Sequence, residues 1–376
     1  DSEQIKARAA QHLEEVLNLA PNVNYAAGAS RGRYVQIRGI GERSQFVDPI
    51  NPSVGLTIDG VNLSGVGNAS TLYDIEQVEV LRGPQGTRFG ANALAGMVNI
   101  TSKAPTEEFE GRVDGGLANY DTWQAGGVVS GPISAKVLGR VAVQQYSSDG
   151  FIDNAYLDRD DTGARDELTA RARLHWQASD DFSIDYSLLH VDVDNGYDAF
   201  SLDNNRTTLS DEPGVDTQET LALSLTANWK AHNNFDLVTT VAVENTDVEY
   251  SYDEDWTNTQ ICEGLACDSD LWGFDWWYSS TDRYVRDRES NQLDVRLVST
   301  EDGQFAGADW VLGLYYNNQE EGLTRHFFDW DLYAPATFDS QYDSERLAVY
   351  GQLAFPLTEK LTLTAGGRVE EFAADY

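Results

Sequence analysis

Hydrophobic and polar residues follow two different patterns in this chain, and the change falls near residue 106. Before that point, apolar residues recur at near-helical spacing over residues 1–20, and short strands punctuated by glycine follow. From about residue 109 onward, apolar and polar residues alternate along successive segments. This period of two gives each strand one apolar and one polar face, as in an antiparallel sheet. The sequence therefore predicts a mainly β protein, with a small α/β domain at residues 1–106 and antiparallel strands at residues 107–376.

The first region is predicted to contain one helix and several short strands. Ser2 can cap the helix, and Pro21 ends it. Asp59 and Gly60 have the composition of a type I′ turn, which joins two strands in a tight hairpin. The predicted elements are a helix over residues 1–20, a strand over residues 34–40, a hairpin over residues 54–63 and two further strands over residues 77–81 and 97–101.

The connections between strands of the second region alternate between short and long. We expect short connections at residues 131–135, 177–181, 230–234, 300–307 and 356–360, and long ones at residues 147–165, 194–217, 249–286 and 318–344. A soluble β-sandwich shares the period of two, but short turns on one side and long loops on the other are typical of a transmembrane barrel. Aromatic residues on the apolar face lie beside the short connections, as in an interfacial girdle. These residues are Trp176, Phe182, Trp229, Phe235, Trp310 and Phe355. We count about eleven strands of roughly ten residues.

The composition excludes some classes of partner and reaction. The formal net charge is −36, from 62 acidic and 26 basic residues, which argues against a nucleic acid because its phosphates require lysine and arginine. No apolar run approaches the roughly 20 residues of a membrane-spanning helix. The five histidines are scattered, without a zinc-protease motif or a nucleophile elbow. We therefore predict no enzyme activity, no catalytic residues and no cofactor.

Two cysteines, Cys262 and Cys267, are close in sequence. Their spacing suits a small disulfide-closed loop in an oxidising compartment. A metal-binding pair is the alternative, but no histidine lies near them. We therefore predict a disulfide here and assign no metal site.

The cysteines belong to residues 249–282, which contain nine acidic residues and no lysine, arginine or histidine. The same stretch is dense in tryptophan and tyrosine, which can form a stacking surface for a sugar, an aromatic chelator or a flat macrocycle. Acidic oxygens beside such a surface can bind Ca²⁺. The alternative is a self-packed outer loop in which the aromatic side chains form a small core.

One stretch, residues 74–105, carries the most specific signal. It reads DIEQVEVLRGPQGTRFGANALAGMVNITSKAP, a strand followed by a glycine-rich loop and a second strand. No Gly-Lys-Ser/Thr follows, so the glycines do not form a nucleotide-binding loop. Residues 74–103 resemble, almost throughout, the end of the plug domain of TonB-dependent outer-membrane transporters. Residues 17–23, 37–41 and 56–61 are similar to three further segments of that plug.

The resemblance implies a plug domain followed by about half of a 22-stranded transmembrane β-barrel, with the TonB box of the family further upstream. It also implies contact with outer-membrane lipid in a Gram-negative bacterium, and active uptake of a scarce small ligand energised by TonB with its inner-membrane complex. A ferric siderophore or other iron complex is the commonest substrate class of the family. A glycan or oligosaccharide is the second candidate, and a non-transporting outer-membrane surface-binding protein is the alternative of a different class.

The resemblance further places the loops after Arg38 and Leu63 on the outside, where they would contact the ligand or merely cover the plug. The candidate ligand-binding residues of the plug top are Glu42, Arg43, Gln45, Phe46, Val66 and Asn68. Those of the outer loop are Trp256, Trp272, Trp276, Trp277 and Tyr278. For an ionic latch between plug and barrel wall, in which charged pairs break and re-form, the candidates are Arg38, Glu76, Glu79, Arg82 and Arg88. Static plug structure is the alternative for this last set.

Overall fold

The computed structural model of the chain describes residues 1–42, 52–83, 95–262, 279–329 and 334–376. Its N-terminal region contains two short helices and two small sheets. These elements are α1 (Ser2–Ala7), α2 (Leu13–Leu17), β1 (Val23–Ala27), β2 (Gly32–Ile37), β3 (Val54–Ile58), β4 (Val61–Asn62), β5 (Ile75–Arg82) and β6 (Gly96–Ser102). Strands β1 and β2 form an antiparallel pair, and the other four form a sheet in the order β4-β3-β6-β5.

The prediction of one helix over residues 1–20 is wrong in its middle, because the chain leaves helical geometry between α1 and α2. Ala9 has a φ of +50°, in the left-handed region. The carbonyl of Gln11 accepts a hydrogen bond of 2.7 Å from the amide of Leu72. His12 then turns its side chain into the interior, where it is 1 % exposed. Local periodicity favours a continuous helix, but these tertiary contacts require another conformation for residues 8–12.

The other predicted elements of this region are present. Asp59 and Gly60 have φ values of +48° and +87°, as a type I′ turn requires, and they join β3 to β4. The predicted strands at residues 77–81 and 97–101 lie within β5 and β6, which pair antiparallel. The predicted strand at residues 34–40 ends early, at Ile37, because Arg38 and Gly39 both adopt positive φ.

The rest of the chain forms one antiparallel sheet of eleven strands, called the wall below. In chain order these strands are β7 (Glu110–Leu117), β8 (Trp123–Ser134), β9 (Val137–Ser148), β11 (Arg165–Ser179), β12 (Phe182–Tyr197), β14 (Gly214–His232), β15 (Phe235–Asp253), β16 (Thr281–Ser299), β17 (Asp309–Asp329), β18 (Ala334–Thr358) and β19 (Leu361–Asp375). Each strand pairs with the next one in this order. Two short strands in the connections, β10 (Asp153–Asn154) and β13 (Thr207–Thr208), pair with each other in parallel.

The two faces of the wall are opposite in character. On β14, Leu221 and Leu225 are 45 % and 39 % exposed, whereas Thr220, Ala222 and Ser224 on the other face are at most 5 % exposed. The apolar face therefore points away from the protein and the polar face is covered. This inside-out pattern is the one expected of strands whose outer face contacts lipid.

The aromatic residues expected beside the short connections lie at one edge of this apolar face. Trp229 is directly opposite Phe182 in the ladder between β14 and β12. The rings of Phe235 and Trp310 lie 6.4 Å apart across neighbouring hairpins. Trp176 and Trp229 are both more than 40 % exposed. Amphipathic rings at one height on successive strands match an interfacial girdle.

The predicted connections agree with the structure except for one. The prediction of a long connection at residues 318–344 is wrong. Strands β17 and β18 extend into this range and pair from Asn318↔Glu345 to Asp329↔Ala334. Apolar and polar residues do not alternate regularly here, since Leu323 lies among polar residues and Phe327 and Phe328 are adjacent, so the pattern that marked other strands is missing. The remaining long connections all lie at one end of the wall, called the long-loop end below.

The inner face of the wall packs against the N-terminal region. Leu189, Val191 and Val193 of β12 belong to the same hydrophobic cluster as Ile37, Ile58 and other residues of that region. No helix among the described residues is long and apolar enough to cross a membrane.

Candidate functional site between the N-terminal region and the wall

A buried ion-pair cluster joins the N-terminal region to the wall near its long-loop end. Arg31, in the turn between β1 and β2, donates hydrogen bonds from Nε and Nη2 to the two carboxylate oxygens of Glu167 on β11, at 2.7 and 2.8 Å. Nε2 of His12 lies 2.6 Å from Oε2 of the same carboxylate. All three side chains are buried. Both ion-pair partners described for Glu167, Arg31 and His12, therefore come from another part of the chain.

Asp216 on β14 makes a second contact of this kind. Its Oδ2 accepts hydrogen bonds from the amide and the hydroxyl of Ser30, at 2.8 and 2.6 Å. Its Oδ1 forms an ion pair with Arg33. Glu167 and Asp216 thus hold the β1–β2 hairpin from two neighbouring parts of the wall.

Arginines of the wall hold the N-terminal region nearer the short connections. Arg140 on β9 donates two hydrogen bonds of 2.6 Å to the carboxylate of Asp74. Arg171 on β11 donates to the carbonyl of Thr71 at 2.8 Å. Asp59, in the β3–β4 turn, accepts a hydrogen bond of 3.1 Å from the hydroxyl of the wall residue Ser187. Polar and charged contacts therefore occur along the height of the wall, in addition to the hydrophobic cluster at β12.

The residues predicted to form a latch make other contacts. Nη1 of Arg82 donates to the carbonyl of Pro21 at 3.4 Å, and Glu79 accepts from Asn99 at 2.9 Å, both within the N-terminal region. Of the ion pairs described between residues 1–83 and the wall, none includes Arg38, Glu76, Glu79 or Arg82. Arg88 lies outside the described residues. The latch assigned to these residues therefore stays a prediction.

A cavity lies between the N-terminal region and the wall near the long-loop end. Its lining residues are Arg33, Tyr34, Pro52, Ser64, Gly65 and Val66 on one side and Val248, Arg286, Arg288, Gln319 and Glu321 on the other. Arg288 is held by the carbonyl of Ser64, at 2.7 Å, and by Glu244, at 3.2 Å. The guanidinium carbon of Arg286 lies 5.5 Å from the ring centre of Tyr284. Three arginines therefore line this cavity, of which Arg33 is paired with Asp216 and Arg288 with Glu244.

Two of the predicted plug-top residues, Val66 and Glu42, lie within the described part of the chain, and one of them lines this cavity. Val66 lines it, and the carbonyl of Val66 accepts a hydrogen bond of 2.8 Å from Gln218 of the wall. Glu42 accepts hydrogen bonds from the amide and hydroxyl of Ser53, at 3.0 and 2.9 Å. Arg43, Gln45, Phe46 and the side chain of Asn68 lie outside the described part of the chain.

The outer-loop prediction can be examined at Trp256. Its ring is 42 % exposed and stacks on Phe200, with centroids 4.8 Å apart and an interplanar angle of 4°. Phe200 also contacts Tyr197 and Tyr252, at 5.9 and 5.6 Å. Part of this aromatic group is therefore a small core, and Trp256 is its exposed edge. Trp272, Trp276, Trp277, Tyr278, Cys267 and the side chain of Cys262 lie outside the described residues, so the predicted disulfide stays a prediction.

Sequence reasoning missed the residues that join the two regions, among them Arg31, Glu167 and Asp216. A signal was available on β11, where Glu167, Arg171 and Arg173 recur every second or fourth residue on the face opposite the apolar one. Charged residues in that position face the inside of the wall, where a partner must compensate them.

An antiparallel wall with an apolar outer face, and a small α/β region held against its polar inner face, define the class of plugged β-barrel receptors. A family model described as TonB-dependent Receptor Plug Domain matches residues 1–97. A second, described as TonB dependent receptor-like, beta-barrel, matches residues 101–376. The chain belongs to the TonB-dependent receptor family, whose members are not enzymes. The N-terminal region is called the plug from here on.

Individual relatives support the same assignment. The chain is 31 % identical over 147 residues to the pesticin receptor of Yersinia pestis, which covers 39 % of this chain and 21 % of that protein. It is 25 % identical over 353 residues to the ferric-pyoverdine 358 receptor of Pseudomonas putida, covering 82 % and 39 %. Among solved structures, the ferric yersiniabactin uptake receptor from Yersinia pestis has a TM-score of 0.78 at 18 % identity, covering 99 % of this chain and 60 % of that one. The matched segments thus cover only 21 % and 39 % of these two curated relatives.

Proposed function

We propose that this protein takes up a ferric siderophore across the outer membrane of a Gram-negative bacterium, energised by TonB and its inner-membrane partners. The observation that carries the proposal is the cavity between plug and wall that Arg33, Arg286 and Arg288 line. Many ferric chelates are anionic, and guanidinium groups bind such oxygens through charge-assisted hydrogen bonds. Relatives named for ferric pyoverdine and ferric yersiniabactin support this choice.

The position of the cavity supports transport rather than simple binding. Its lining comes from the plug, through Ser64 and Val66, and from the wall, through Arg286 and Arg288. A ligand bound there would contact both parts, so its binding energy can favour one plug position over another. A non-transporting surface protein has no need of a site divided in this way.

Uptake of a glycan is the second candidate. The exposed face of Trp256, stacked on Phe200, supports it, because sugars bind on flat aromatic rings. The two candidate functions predict different effects of iron supply on the amount of receptor. We expect the amount of receptor in outer membranes to rise strongly in iron-starved cells, whereas an unchanged amount would contradict iron uptake and favour a carbon source.

A charge reversal tests the cavity directly. In the full receptor, Arg286→Glu should lower the affinity for a labelled ferric siderophore about tenfold or more, because one charge-assisted hydrogen bond contributes about 1.5–3 kcal/mol. Arg283→Glu is the matched control, since Arg283 lies on the same strand but is paired with Glu249 at 2.8 Å and is 46 % exposed. A panel of ferric pyoverdine, yersiniabactin and catecholate complexes would be used. Equal binding by both variants would contradict a role for the cavity.

A further inference from the structure

Three carboxylates from two outer connections converge beyond the lipid-facing part of the wall. Asp211 lies between β13 and β14, Asp253 is the last residue of β15, and Asp255 follows it. Each carboxylate offers an oxygen, and these oxygens all lie within 4.8 Å of one another. Asp253 and Asp255 are only 5 % and 6 % exposed. Three negative charges are therefore held together in a largely dry place.

No basic side chain compensates these charges among the described residues. The ion pairs described at this end of the wall include Asp282 with Arg325, at 2.7 Å, but none with Asp211, Asp253 or Asp255. The surrounding sequence also lacks basic residues: residues 249–282, which include Asp253 and Asp255, contain no lysine, arginine or histidine. The compensating charge must come from elsewhere.

Two buried polar atoms beside the carboxylates have no hydrogen-bond partner of normal geometry. Oδ1 of Asp253 accepts from the amides of Asp255 and Trp256, at 3.1 and 3.0 Å, but its Oδ2 is buried and has none. Ser210 is 1 % exposed and lies beside Asp253, and its hydroxyl also has no such partner. A buried acceptor without a partner is costly. These atoms indicate that a ligand completes the site.

We propose that Asp211, Asp253 and Asp255, with the hydroxyl of Ser210, bind one Ca²⁺ ion. Calcium takes six to eight oxygen ligands at 2.3–2.6 Å, so ligands on opposite sides of the ion lie roughly 4.6–5.2 Å apart. The oxygens here all lie within 4.8 Å of one another, which is compatible with ligation of one such ion. Magnesium demands near-ideal octahedral geometry and retains several waters, so a site made of three carboxylates and a hydroxyl suits calcium better.

The ion would join two connections that carry the aromatic group. Asp211 belongs to the connection that also contains Phe200, and Asp253 and Asp255 immediately precede Trp256. The stacking of Trp256 on Phe200 crosses between the same two connections. Calcium therefore fixes the position of the exposed aromatic face at the outer entrance. This inference does not depend on which ligand the receptor transports.

Calcium titration of the full receptor tests the site. After removal of divalent ions with a chelator, the receptor in detergent is titrated with CaCl₂ by calorimetry, without siderophore. We expect one ion per receptor, with at least tenfold weaker binding in Asp253→Asn and binding within twofold of wild type in Asp247→Asn. Asp247 is the matched control because it is an exposed carboxylate on the same strand. MgCl₂ should bind more weakly than CaCl₂ to the wild type.

Thermal unfolding separates an ion site from a structural role. Asparagine retains the Oδ1 acceptor for the two amides, so Asp253→Asn should be at least as stable as the wild type in EDTA. Calcium should raise the unfolding temperature of the wild type and leave that of Asp253→Asn unchanged. The proposal is overturned if the wild type binds no stoichiometric Ca²⁺ at about 10 mM, above the range of weak extracellular sites. It is also overturned if Asp253→Asn binds calcium as tightly as the wild type, or if the wild type unfolds at the same temperature in EDTA and in calcium.

Discussion

Glu167 and Asp253 are both buried carboxylates on long wall strands, but their charges are compensated differently. Glu167 is 1 % exposed and contacts Arg31 and His12, which the plug supplies. Asp253 is 5 % exposed and lies beside two more carboxylates, and none of the ion pairs of the described residues includes it. Removing a charge from water is costly unless a counter-charge is present. At Glu167 the chain itself provides that charge, whereas at Asp253 it must come from the medium.

The difference separates two kinds of contact within one receptor. The contact of Glu167 joins plug to wall, so any plug movement that separates them must break a buried ion pair. The contact of Asp253 joins two outer connections, so it is made or lost according to the calcium concentration. The Glu167 contact therefore depends on the position of the plug, whereas the Asp253 contact depends on the calcium concentration of the medium outside.

The largest expected effect is that of Glu167→Gln. It leaves Arg31 buried without its carboxylate, and breaking a buried pair in this way costs about 3–5 kcal/mol. We expect faster amide exchange in residues 23–37 of the plug and greater sensitivity of cells to large antibiotics. Glu219→Gln, which changes an exposed carboxylate on the outer face of β14, is the control. If the plug amides are equally protected from exchange in Glu167→Gln and Glu219→Gln, the pair of Glu167 and Arg31 does not hold the plug.

Asp282→Asn should have an intermediate effect. Its carboxylate accepts two hydrogen bonds from Arg325, at 2.9 and 2.7 Å, but Arg325 is 36 % exposed and can regain water. We expect a loss of about 1–2 kcal/mol of stability. Because this carboxylate has its counter-charge in the chain, the loss should be the same in EDTA and in calcium. A loss that appeared only in calcium would place Asp282 in the ion site instead.

Arg82→Glu tests the predicted latch against the observed plug contacts. Arg82 is exposed and makes one long hydrogen bond to the carbonyl of Pro21, so its static contribution should be below about 1 kcal/mol. If Arg82 acts in a latch, siderophore uptake falls or antibiotic sensitivity rises while the unfolding temperature hardly changes. Wild-type uptake together with unchanged antibiotic resistance would remove Arg82 from the latch.

Ser210→Ala should have a smaller effect, confined to calcium. Its hydroxyl has no hydrogen-bond partner of normal geometry, so its loss in EDTA should change stability by less than about 0.5 kcal/mol. As one oxygen ligand among several, it should weaken calcium binding about fivefold, near 1 kcal/mol. Titration calorimetry with CaCl₂ measures the change in affinity, and thermal unfolding in EDTA measures the change in stability, each in parallel with Asp253→Asn. A clear destabilisation in EDTA would indicate that Ser210 has a structural role.

The smallest effect is expected on the outer surface of the wall. Glu219 lies directly opposite Asp192 on one side and Asp247 on the other, and like charges in this position are mildly destabilising. Glu219→Gln should therefore raise stability by a few tenths of a kcal/mol at low salt, and less at high salt. Denaturant unfolding at two salt concentrations would measure this. A decrease in stability would mean that the carboxylates are already compensated by bound cations.

Much of the wall could be predicted because lipid contact imposes a local rule. On β14, every second residue from Leu221 to Trp229 is apolar, and the structure exposes that face. The same rule failed for residues 318–344, where β17 and β18 continue to pair although apolar and polar residues do not alternate regularly. In the candidate site, sequence reasoning identified Val66, which does line the cavity, but not Arg286 or Arg288. Nothing in their local sequence shows that they face a space shared with the plug.

The sequence by itself determined the family, through residues 74–103, and the direction of each strand face, through its period of two. The family motif and the alternation of strand faces both depend on residues that are close in sequence, so neither requires knowledge of the tertiary structure. Only the tertiary structure decided that residues 8–12 leave the helix, that Glu167 meets Arg31, and that Asp211 meets Asp253 and Asp255. Whether a buried charge is compensated depends on segments far apart in sequence, which come together only when the plug docks and the wall strands align.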